Sequence, residues 1–62
     1  MDINSLRAFE GKTVTVILNN NNVYSHIKYK VTSAGTITFI DNKNGQECYV
    51  LSDFVAMLRE EM

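Results

Sequence analysis

Apolar residues recur along this chain with two different periods, and the change from one period to the other marks out the elements. Ile3, Leu6 and Phe9 return every third residue, which lines them along one side of a helix able to rest on a sheet. Asp2 or Asn4 can cap its start and Gly11 can stop its end, so the pattern predicts a short N-terminal helix, too short to stand alone. From residue 12 to 18 the residue types turn to Thr, Val and Ile, whose branched side chains fit a pleated surface. Here Val14, Val16 and Leu18 point to one face of a first strand and Thr13, Thr15 and Ile17 to the other. Ile17 is apolar on the nominally wet side, so it needs a second layer or a partner.

Residues 23–31 alternate without a break: Val23, Ser25, Ile27, Tyr29 and Val31 on one face, Tyr24, His26, Lys28 and Lys30 on the other. A strand this long would run about 30 Å and must bend to stay over a small core; Ser25 is the expected corner. Asn19 to Asn22 form the turn before it. A tight turn at Ser33-Ala34-Gly35 leads to a third strand, residues 36–40, with Ile37 and Phe39 inward. The Asn44-Gly45 pair then favours the positive φ of a hairpin. The fourth strand, residues 46–51, sets Cys48 and Val50 against Glu47, Tyr49 and Leu51 and is apolar on both sides.

For the last segment, Ser52 or Asp53 can cap a helix, and Phe54, Met57, Leu58 and Met62 fall on one helical stripe. A C-terminal helix is the first expectation. The competing one is a brief turn at residues 52–54 followed by a fifth strand, residues 55–59, paired back onto the first. Glu60 and Glu61 at the end of a helix oppose its dipole and favour that competitor. The expected fold class is therefore α+β, mainly β: one domain over residues 1–62, a bent antiparallel sheet of four to five strands partly closed into a barrel, with short helices at both ends.

The short helix, Gly11-Lys12, the alternating strands with Ile37-Thr38-Phe39-Ile40-Asp41, and the final Val50-Leu51-Ser52-Asp53-Phe54-Val55 together resemble the small SH3-like barrels of the Sm-like kind. That resemblance implies a fold, and it implies rings in which the closing strand pairs with the next subunit. It does not carry over the uridine site of such proteins. Where they place Asp and Asn after the second strand this chain has Thr32-Ser33-Ala34-Gly35, and it has no late Arg-Gly pair.

Charge and chemistry narrow the function. Six Lys and Arg against seven Asp and Glu give a net charge of −1, which gathers no phosphates at long range. One cysteine and one histidine cannot make a zinc site, and His26 and Cys48 are expected on opposite faces with no third group to orient them. No cofactor, no metal and no catalysis are expected. A chain of 62 residues buries only about 60% of its unfolded surface, so self-association is a natural supplement. The apolar surplus of Ile17, Tyr49, Leu51, Val55 and Met57 or Met62 points to a protein partner or a second copy, as in a small interaction module or regulator. The alternative is single-stranded RNA held by Tyr24, His26, Lys28 and Lys30, an aromatic followed by three potential cations, disfavoured by the negative balance. No apolar run approaches a bilayer span and no leader pattern opens the chain, so the expected compartment is the cytoplasm.

Overall fold

The structure, a computed structural model, describes residues 1–61; the Met62 placed on the helical stripe lies outside them. A helix α1 (Ile3–Ala8) is followed by six strands, β1 (Val14–Leu18), β2 (Val23–Ile27), β3 (Tyr29–Val31), β4 (Thr36–Ile40), β5 (Glu47–Leu51) and β6 (Val55–Glu60), with a single 3-10 turn (Ser52–Phe54) before the last. They form two three-stranded antiparallel sheets, ordered β2-β1-β6 and β3-β4-β5. The expected partly closed barrel of four to five strands is corrected on both counts: six strands lie in two sheets, and no ladder joins β5 to β6 to close them. Among the described residues no helix is long and apolar enough to cross a membrane.

The core lies between the two sheets. Val14, Val16 and Leu18 of β1, Ile27, Tyr29, Ile37, Phe39 and Val55 fill it, and Leu6 of α1 closes one end. The Tyr29 hydroxyl, inside this core, donates to the Leu6 carbonyl and ties the helix down. Asp2 takes the N-cap position of α1 but makes no side-chain cap bond, so the helix is held by packing.

The C-terminal segment is a strand, and the expected helix is corrected. β1 is buried on its inner face and needs hydrogen-bond partners along both sides. β2 supplies one side, and β6 supplies the other, with Thr15 opposite Arg59, Val16 opposite Leu58 and Ile17 opposite Met57. Between Met57 and Val55 the register shifts by one residue, Ala56, so that Val55 faces Leu18. This bulge turns both Val55 and Leu58 toward the core, although they are three residues apart. A helix produces that same spacing, which is why the stripe looked helical.

A second bulge falls at the expected corner, Ser25, and takes in His26. Val14 pairs with Ile27 and Val16 with Tyr24, so Ser25 and His26 together face the single residue Thr15. The extra residue reverses the alternation upstream of it. Tyr24 turns inward and packs on Phe39, ring centroids 5.0 Å apart, while Val23 and Ser25 turn outward. His26 carries the bulge at φ 57, in the left-handed region, and the Asn42 carboxamide donates to the Ser25 and His26 carbonyls. The chain then leaves the first sheet at Lys28 and enters the second at Tyr29.

Two outcomes test this architecture. His26→Val should lower stability by about 1–2 kcal/mol in urea unfolding, because a β-branched residue resists the left-handed region, whereas His26→Gly should stay within about 0.5 kcal/mol of the parent. Burial, with the Glu10 charge adding to it, pushes the Tyr29 hydroxyl from 10.0 up to about 12. The unfolded chain then ionises first, so stability is fully present below pH 10 and is lost as pH rises through about 12. Tyr29→Phe should cost about 1 kcal/mol at neutral pH and flatten that alkaline loss in unfolding curves recorded across the range.

Candidate functional site

Two open three-stranded sheets expose four strand edges, and an uncovered edge is a template for pairing with another chain. The fold covers two of them. On β2 the bulge at His26 twists the strand and Asn42 occupies the carbonyls beside it. On β3 the Val31 N–H donates to the Glu10 carboxylate at 2.6 Å, and the Tyr29 carbonyl accepts from Gly11 N–H at 3.4 Å. The other two edges lack such cover. Among the described residues, β5 has no ladder other than that with β4 and β6 none other than that with β1. At the start of β6 the Met1 amine reaches the Ser52 and Val55 carbonyls at 2.8 and 2.9 Å.

The side chains along these open edges are the large exposed apolar ones. Tyr49 and Leu51 on β5 are 68% and 63% exposed, and Met57 on β6 is 51% exposed. They stand on the outer faces, Tyr49 opposite Thr38, Leu51 opposite Thr36, and Met57 opposite Ile17. Ile17, half-buried, sits in the middle of a row that crosses the whole first sheet from Val23 to Met57. Val55 departs from the expected surface. It is 2% exposed and belongs to the core, because the Ala56 bulge turns it inward. Four of the five expected interface residues therefore remain on the outer faces.

Charge brackets the two edges. Glu47 opens β5 and Arg59 lies near the end of β6, both exposed. The Tyr49 hydroxyl donates to the Glu47 carboxylate, and this hydrogen bond, more than the charge itself, raises its pKa. Glu60 pairs with Lys12 at 3.8 Å, and Lys12 lies 5.5 Å over the Phe9 ring. Glu61 accepts the Thr15 hydroxyl and lies 3.9 Å from His26 Nε2.

The four residues read as a nucleic-acid face do not form one row. Tyr24 packs against Phe39, His26 projects from the bulge toward Glu61, Lys28 stands at the crossing between sheets, and Lys30 lies on the outer face of the second sheet opposite Thr38. The bulge is the physical cause, since it shifts Tyr24 to the other side of the strand. Cys48 packs half-buried against the core while His26 is exposed, so the two do not meet.

One feature had no counterpart in the sequence pattern. A groove of about 420 Å³ runs between the β1–β2 turn and the β4–β5 connection, lined by Asn21, Asn22, Val23, Tyr24, Asp41 and Lys43. Its only sequence signal is an Asn tract longer than a tight turn requires. The chain matches no known protein family, no curated protein and no solved structure.

The division between core and surface predicts opposite responses to truncation. Val55→Ala should cost about 2 kcal/mol in urea unfolding at low micromolar concentration. Tyr49→Ser and Met57→Ser should each stay within about 0.5 kcal/mol under the same conditions, as exposed positions do.

Proposed function

We propose that this protein is a non-catalytic association module whose partner is a second copy of itself, the open edge of β5 pairing with the open edge of β6 on the neighbour. The observation that carries this is the match between the two edges. An antiparallel register that sets Glu47 opposite Arg59 also sets Tyr49 opposite Met57, all four on outer faces. The new ladder would satisfy backbone groups that now face water, and it would cover Tyr49 and Met57 together. The Glu47 and Arg59 charges lie at the rim, where ion pairs add little affinity but select register.

The surface used by one copy differs from the surface used by its neighbour, so the contact is head-to-tail and either closes into a ring or continues as a filament. The resemblance to Sm-like chains points the same way, since there the closing strand pairs with the next subunit. Net charge of −1 and the dispersal of Tyr24, His26, Lys28 and Lys30 give single-stranded nucleic acid no continuous row to follow.

Sedimentation of the purified chain tests the proposal. A concentration-dependent oligomer is expected, weakened in Arg59→Glu, which sets two carboxylates opposite each other, and restored when Glu47→Lys is added to it. Met57→Asp should abolish it with the monomer still folded. A parent chain that stays monomeric up to about 1 mM, beyond the range of useful self-affinity, overturns it.

A further inference from the structure

The four consecutive asparagines between β1 and β2 divide into two pairs. Asn19 donates from its carboxamide to the Asp53 carbonyl at 3.2 Å, and the Asn20 carboxamide oxygen accepts the Asn22 N–H at 3.1 Å. Asn21 and Asn22 serve the turn through their backbones alone. Asn21 N–H donates to the Leu18 carbonyl, Leu18 N–H donates to the Asn22 carbonyl at 2.9 Å, and Asn21 sits at φ 70. Their carboxamides have no partner among the described residues, and these two residues are the ones that line the groove.

Other polar groups of the lining residues are also unengaged. The Tyr24 hydroxyl and the Lys43 ammonium have no hydrogen-bond or ion-pair partner among the described residues. Asp41 accepts the Lys43 N–H through one carboxylate oxygen at 3.0 Å, which leaves the other free. Residues that carry two carboxamides, a phenol, an ammonium and a carboxylate oxygen thus line one open concavity of about 420 Å³.

The composition of this lining selects the ligand chemistry. Asp41 and Lys43 stand two residues apart with opposite charge, so the groove carries no net attraction for a phosphate or a carboxylate. Four of the six lining residues are Asn, Asp or Lys, with Val23 and the Tyr24 ring beside them, so it has no enclosed pocket for an aliphatic anchor. A neutral molecule dense in groups that both donate and accept hydrogen bonds answers both features, and a sugar ring with adjacent hydroxyls is such a molecule. The Tyr24 ring, which packs against Phe39 with centroids 5.0 Å apart, is the aromatic member of the lining and the group to meet the C–H face of such a ring. We propose that this groove binds a neutral pyranose. The site is open and water competes for every hydroxyl, so an affinity of about 1 mM is expected.

The test is amide NMR of the full chain titrated with the methyl pyranosides of glucose, galactose, mannose and N-acetylglucosamine, and separately with AMP. At least one pyranoside should give saturable shifts confined to residues 21–24 and 41–43. Asn21→Gly retains the left-handed turn and Asn22→Ala removes a side chain that the fold does not use, so both should fold, as the unchanged amide spectrum elsewhere would show. Each should weaken binding at least about fivefold, the loss of one hydrogen bond. No saturable shift from any pyranoside up to about 50 mM, well past the expected affinity, overturns the proposal. So do stronger binding of AMP than of every sugar, and variants that bind as the parent does.

Discussion

The structure depends on one constraint: β1 is a central strand with its inner face sealed, and every backbone group along it must find a partner. β2 meets this requirement on one side and β6 on the other. The C-terminal segment is therefore drawn into the sheet whatever its local spacing suggests. Its pairing places Glu61 beside Thr15 and His26, which ties the end of β6 to the bulge on β2.

Two short strands over a small core cannot bring every apolar residue inward by simple alternation, and the two bulges resolve this. The one at Ser25 and His26 turns Tyr24 and Ile27 inward together; the one at Ala56 does the same for Val55 and Leu58. Each places inward residues three apart. The first also bends the chain so that it passes from one sheet to the other at Lys28, and that crossing lets two sheets enclose a core that a flat sheet of this size could not. His26 holds a conformation that costs free energy, and Asn42 from the far hairpin helps to hold it there.

The same constraint shapes the surface. A two-sheet fold without closure leaves strand edges, and here the covered edges and the open ones fall on opposite sides of the chain's path. β2 and β3, consecutive in sequence, are protected by the bulge, Asn42 and Glu10. β5 and β6, consecutive through the 3-10 turn, carry Tyr49, Leu51 and Met57 into solvent. The unprotected strand edges and the large exposed apolar side chains therefore coincide on β5 and β6.

Residue types and alternation alone determined α1, β1, β4 and β5, because in each the apolar period is unbroken and the flanking Gly and Asn residues mark the ends. They also identified Tyr49, Leu51 and Met57 as an apolar surplus, since a single core face has no place for them. Tertiary structure decided the rest. Whether residues 55–60 coil or extend depended on the open side of β1, a partner forty residues away in the chain. Which way Tyr24 and Val55 face depended on single extra residues whose cost is repaid only by packing against Phe39 and the core. A bulge has no residue signature when His or Ala occupies it in place of glycine, so its position becomes legible only when the facing strand is in view.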